Sequence, residues 1–335
     1  MVERLLRPTE QSLGIKTNEI QVNNLGVHYL SSGNPQNKPL LLFHGLGTDA
    51  SLCFGEVMKP FADAGFFVVA PDFPGYGKSD SPNRFDTRAF VDFSYGFMDE
   101  LGLENPHAVG LSFGGAIATG SAFHEPDRID QLVLVNSYGF TERTHVPVFD
   151  EIALFRALTS VFKEKATHLI FKAPVLVQGF LGVMRKIGES SKETTKFVVD
   201  RMLFNGSFIT DEMVREFLQS EYGSKTDHTI SMWLREEMGP RGPRTHFPTL
   251  FKDALLAHPT LIVCGAKDRI IPPHWAQAAN DHIAGSVVSV FEESGHGLPL
   301  QEPDRFISEV TQFLKGSQVR RGWDSNPRES FDSKV

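Results

Sequence analysis

The chain has 335 residues, 41% hydrophobic and 22% charged, which is ordinary for a globular protein with a core of normal size. Its formal net charge of −8 leaves no basic surplus to neutralise phosphates, which argues against a nucleic-acid partner. The two cysteines, Cys53 and Cys264, lack CxxC partners, which argues against a thiolate metal site and against a disulfide.

In the first half of the chain, short apolar runs alternate with amphipathic ones. The N-terminus carries charges at Glu3, Arg4 and Arg7 and no signal-like apolar stretch. Strands are predicted at Leu40–Phe43, Phe66–Ala70, Val109–Leu111 and Gln131–Val135. Between them, helices are predicted near Ser51–Ala64, Thr87–Leu101 and Phe113–His124. Strand and helix alternating at this pace imply a mostly parallel sheet covered on both faces, an α/β fold.

From about Phe140 to Phe251 the strand rhythm stops. Apolar residues recur at helical spacing in Ile152–Phe162, Val175–Ile187 and Met213–Phe217, and phenylalanines recur from Phe155 to Phe217. Strands return at Thr260–Cys264 and Ser286–Phe291, and a last helix is expected at Glu302–Phe313. The expected organisation is a core over 1–138 and 251–315 interrupted by a helical cap over 139–250, with 316–335 a disordered tail. No apolar run of about 18 residues occurs, so no membrane span is expected, and a cytoplasmic location is the default.

Gly110-Leu111-Ser112-Phe113-Gly114 matches G-x-S-x-G directly after an apolar strand and before a helical run. A sharp turn there exposes the serine hydroxyl above the sheet, and the flanking glycines permit the close approach. A serine needs a base to become a nucleophile. Among the twelve histidines, His296 is the candidate, between Gly295 and Gly297 after the last strand. Others fall in ordinary positions, His107 at a strand start and His124 and His228 on helices. The base needs an orienting carboxylate, and Asp268 lies in the loop leaving the Thr260–Cys264 strand, where such sheets place their chemistry. The chain order is then Ser, Asp, His. His44-Gly45-Leu46-Gly47 follows the Leu40–Phe43 strand and suits an oxyanion-binding loop. The expected donors are the backbone N–H groups of Leu46 and Phe113, with His44 structural. Gly45 and Leu298 are expected at the substrate, and the Phe113 side chain is expected in the pocket.

HGLG (44–47), DFPGYGKSD (72–80), GLSFGG (110–115), GAKDRIIP (265–272) and SGHGLPLQEPDRF (294–306) occur in family order, and over about 20–315 the chain resembles the α/β-hydrolase superfamily. The resemblance implies a helical cap and no cofactor or metal, with Ser112, Asp268 and His296 as catalytic triad. Serine at the nucleophile position argues against the epoxide-hydrolase and dehalogenase branches, which carry aspartate there. The expected activity is carboxylesterase-like cleavage of a small-molecule ester or other acyl substrate. The alternative is a carbon–carbon hydrolase of the meta-cleavage product type. Asn136-Ser137-Tyr138-Gly139 resembles a stretch of that group, whereas Leu111 and Gly297 depart from its usual Asn and Trp. A non-catalytic ligand-binding member of the fold is the third reading, and a homo-oligomer is compatible with all three.

Overall fold

A computed structural model describes residues 14–140, 223–239, 242–250 and 258–316. The chain opens with β1 (Lys16–Val22) and β2 (Leu25–Ser32), followed by β3 (Lys38–Phe43), α1 (Ala50–Asp63) and β4 (Phe66–Pro71). Next come α2 (Thr87–Glu100), β5 (His107–Leu111), α3 (Phe113–His124) and β6 (Leu132–Val135). Within the expected insertion lie α4 (Gly223–Glu237), the two-residue β7 (Met238–Gly239) and β8 (Gly242–Pro243), and α5 (Phe247–Leu250). The chain closes with β9 (Thr260–Gly265), α6 (His274–His282), β10 (Val287–Phe291), α7 (Leu298–Gln301) and α8 (Pro303–Leu314).

Eight strands form one sheet in the order β1-β2-β4-β3-β5-β6-β9-β10. The first two pairings, β1 with β2 and β2 with β4, are antiparallel, and the remainder are parallel. The predicted α/β architecture is therefore present, and its central strands read as continuous apolar runs because both faces are covered. One face carries α2 and α3, packing Phe90, Phe97 and Ile117 against Leu41 and Phe43. The other carries α1 and α8, packing Phe54, Phe61, Phe306 and Val310 against Leu40 and Leu42. Aspartates cap two of these helices: Asp49 accepts from Leu52 N at 2.8 Å and Asp86 from Ala89 N at 3.1 Å. Each such cap is worth about 1 kcal/mol.

Register fixes where the chemistry sits. Leu111 pairs with Val135, and Val135 with Val263, while Phe43 pairs with Gly110 and Phe291 with Gly265. The loops that begin at 44, 112, 136, 266 and 292 thus leave the sheet on one rim.

The N-terminal hairpin of β1 and β2 was not anticipated. It turns at Asn23 and Asn24, both at positive φ (50° and 65°), a conformation asparagine tolerates better than most residues. Most of the expected cap (141–222) and the tail (317–335) lie outside the described residues. Among the described residues, no helix is long and apolar enough to cross a membrane.

Candidate active site

Ser112 stands between β5 and α3 with φ 55° and ψ −115°, a sparsely populated backbone region for a residue with a Cβ. Such strain costs about 1–3 kcal/mol and persists only where the surroundings impose it. Here Ser112 N donates to Val135 O at 2.9 Å, and Ser112 O accepts from Gly115 N and Tyr138 N, each at 3.0 Å. The glycines of the motif are required by close approach: a Cβ on Gly110 would run into the Gly114 carbonyl, and one on Gly114 into the Phe43 carbonyl. The serine ends up only 9% exposed.

Asp268 lies in the turn leaving β9. Its Oδ1 accepts from Ile270 N at 2.7 Å and Ile271 N at 2.9 Å, and its Oδ2 sits 2.7 Å from His296 Nδ1. The carboxylate is fully buried. It can only accept, so His296 Nδ1 carries the proton and Nε2 is left as the basic nitrogen. Among the described residues no hydrogen bond joins Ser112 Oγ to the imidazole. Such contacts often tighten only once substrate is bound.

A residue to which the sequence assigned no role holds this loop. Asn136, just past β6, is 2% exposed and sits at φ 43°. Its Nδ2 donates to Gly295 O at 3.2 Å and His296 O at 3.0 Å, and its Oδ1 accepts from Gly265 N at 2.9 Å. One side chain therefore ties the ends of β6 and β9 to the histidine loop. The same loop is anchored from behind, where Gln301 Oε1 accepts from Gly295 N at 2.8 Å and Glu302 Oε1 from Ser294 Oγ at 2.6 Å. Its place in the Asn136-Ser137-Tyr138-Gly139 stretch, just after an apolar strand, was the available hint.

The loop after β3 is built around His44. Its Nε2 accepts from Phe73 N at 2.9 Å, and its Nδ1 donates to Gly45 O at 2.8 Å. Burial holds its pKa below 6.5 against the opposing charge of Asp72, so the ring is neutral and structural. Asp72 lies behind the loop, with Oδ1 accepting from Ala50 N at 3.0 Å and Oδ2 2.7 Å from His28 Nδ1. Burial alone would raise the Asp72 pKa, but the His28 hydrogen bond and charge, with the Lys78 backbone N–H, pull it below the usual value. Gly45 faces Ser112, since a Cβ there would lie 3.6 Å from Ser112 Cβ. The backbone N–H groups of Leu46 and Phe113 donate to no acceptor among the described residues.

Two side chains depart from expectation. Phe113 is only 2% exposed, its ring packed on Phe90, Trp233 and Phe73 with centroids at 5.1, 5.2 and 5.7 Å. Only its backbone faces the site, because the turn that exposes the serine drives the next side chain into the core. Leu298 is fully buried in the core under α1 and α8 and serves packing rather than a pocket. The wall near the 44–47 loop comes instead from α4: Ile230 Cδ1 would lie 3.7 Å from a Cβ on Gly47. No cluster of three or more potential metal ligands occurs among the described residues.

The fold and this rim define a class. The family model of the alpha/beta hydrolase fold matches residues 38–303, and the chain belongs to that family. It is 25% identical to a 2-hydroxy-6-oxo-6-phenylhexa-2,4-dienoate hydrolase of Comamonas testosteroni, over 90% of this chain and 95% of the relative. The fold also matches a meta-cleavage product hydrolase of Pseudomonas fluorescens IP01, with TM-score 0.67, 23% identity, and 90% and 98% of the two chains covered. A bacterial membrane phospholipase A aligns with TM-score 0.68 and 21% identity, over 92% and 88%.

Proposed function

We propose that this hydrolase is a serine esterase, cleaving a small-molecule carboxylic ester through an acyl-enzyme. The observation that carries the reading is a strained serine at the end of β5 on the same rim as a histidine locked to a buried aspartate. In this reading Ser112 Oγ attacks the carbonyl carbon and His296 Nε2 takes its proton. Asp268 keeps the tautomer and stabilises the imidazolium. The Leu46 and Phe113 N–H groups receive the negative oxygen, each worth about 3–4 kcal/mol at the transition state. Collapse breaks the bond to the leaving alcohol, which takes the proton from His296. Water then repeats the sequence on the acyl-enzyme. No cofactor takes part.

The apolar neighbours contributed by α4, Ile230 and Trp233, support an uncharged acyl group. A second reading is carbon–carbon cleavage of a meta-cleavage product. It is supported by the activity named for the Comamonas relative, and Leu111 and Gly297 count against it. Labelling with a fluorophosphonate tests the nucleophile: the wild type should be modified at Ser112 and Ser112→Ala not at all. A series of p-nitrophenyl esters run beside a meta-cleavage product separates the two readings. Turnover of the dienoate alone would replace the esterase reading. His296→Ala should lower kcat by about 10⁴-fold with little change in KM, and near-normal turnover would remove His296 as the base.

A further inference from the structure

Glu237, the last residue of α4, is 3% exposed, and no cation pairs with it among the described residues. Its Oε1 accepts from the Tyr138 hydroxyl at 3.0 Å and from Thr245 N at 2.6 Å. Its Oε2 accepts from the hydroxyls of Thr87 at 3.0 Å and Thr245 at 2.9 Å. Thr87 Oγ1 in turn accepts from the indole N–H of Trp233 at 3.2 Å. A buried carboxylate without a counter-ion is tolerated only when its lone pairs are engaged, and four donors meet that need here. With those positions filled, the carboxylate has little left to offer a substrate. Its effect is to hold the groups that donate to it.

One of those groups reaches the candidate site from both sides. The Tyr138 backbone N–H is bonded to Ser112 O. Its ring stands edge-on to Trp233 at 5.7 Å, and Trp233 stands edge-on to Phe113 at 5.2 Å. Tyr138 also packs on the cluster of Ile270, Ile271 and Trp275, and the first two of these supply the N–H groups that hold Asp268. Resting on the serine-hydrolase reading above, we propose that Glu237 is a positioning residue. Through the Tyr138 hydroxyl it holds one ring against both the serine elbow and the aspartate loop, and so keeps nucleophile and base in register. Burial, with the Glu237 charge and hydrogen bond, raises the Tyr138 pKa well above 10, so the hydroxyl remains a donor wherever Glu237 is ionised.

The test is the kinetics of fluorophosphonate labelling of the full chain, resolved into affinity for the reagent and maximal rate, at a temperature below every variant's melting transition. Tyr138→Phe removes one hydroxyl and leaves Glu237 Oε1 bonded to Thr245 N. It should lower the maximal rate by about tenfold or more with reagent affinity unchanged. Glu237→Met, which has no acceptor for the Tyr138 hydroxyl, should do the same, and the double variant should be no slower than the slower single one, because both remove one linkage. Tyr138→Phe alone decides the matter if Glu237→Met fails to fold. Labelling of Tyr138→Phe at the wild-type rate, even with a lowered melting temperature, overturns the inference, as do losses that multiply in the double variant. Absence of labelling in the wild type removes the serine-hydrolase reading itself, and this inference with it.

Discussion

At the scale of single residues, Asn136 gives the sharpest expectation. Asn136→Asp keeps the acceptor for Gly265 N but turns an oxygen towards the carbonyls of Gly295 and His296. Leaving buried carbonyls unmatched costs about 1–3 kcal/mol. A displaced base costs about 10²-fold in kcat, so activity should fall further than the urea midpoint suggests. A second expectation concerns His107 at the start of β5. Burial, only partly offset by Asp130, lowers its pKa to about 4. Between pH 6.5 and 4 the unfolded chain therefore binds the proton that the folded chain refuses, and stability falls as the pH drops through that window. Urea unfolding should show that slope in the wild type and a shallower one in His107→Gln. Ser112, Asp268 and His296 were legible as candidates in the sequence because each stands in a short motif at a strand end. Asn136 and Glu237 were not, since their partners lie more than a hundred and about a hundred positions away along the chain respectively.

At the scale of elements, the two glycines of the elbow differ in kind from Gly285. Gly114→Ala drives a methyl into the Phe43 carbonyl, a backbone atom that cannot step aside. It should cost about 3 kcal/mol or more and misplace α3. Gly285 sits at φ 73° with nothing within 4 Å of its Cβ position, so Gly285→Ala should cost only about 1 kcal/mol of backbone strain. Paired urea melts give both numbers. The parallel strands were readable because they are fully buried and therefore continuously apolar. The β1 and β2 hairpin escaped notice because β1 runs along the sheet's edge, with its first residues exposed and polar. Its signal was the Asn23-Asn24 turn rather than any apolar run.

At the scale of the whole molecule, α4 is seated on the core by polar contacts at several turns. Lys225 Nζ donates to Gly77 O at 2.9 Å and Ser79 O at 2.6 Å, and Thr229 Oγ1 donates to Gly75 O at 3.3 Å. Lys225→Met should raise amide hydrogen exchange in the 75–80 loop while leaving β5 and β9 as protected as before. Equal protection throughout would mean that Asp72 and β2 hold the loop without Lys225. A helical insertion over 139–250 was expected from periodicity, but where α4 docks was not legible, because it rests on main-chain carbonyls and hydroxyls about 100 to 150 positions away along the chain. The two thiols supply a practical consequence of this packing. Cys53 and Cys264 are both buried, and burial pushes the Cys264 thiol up to about 12. Maleimide chemistry should therefore pass over the native chain, and a single cysteine introduced on the outer surface of α4 would accept one dye and report how that helix moves against the sheet.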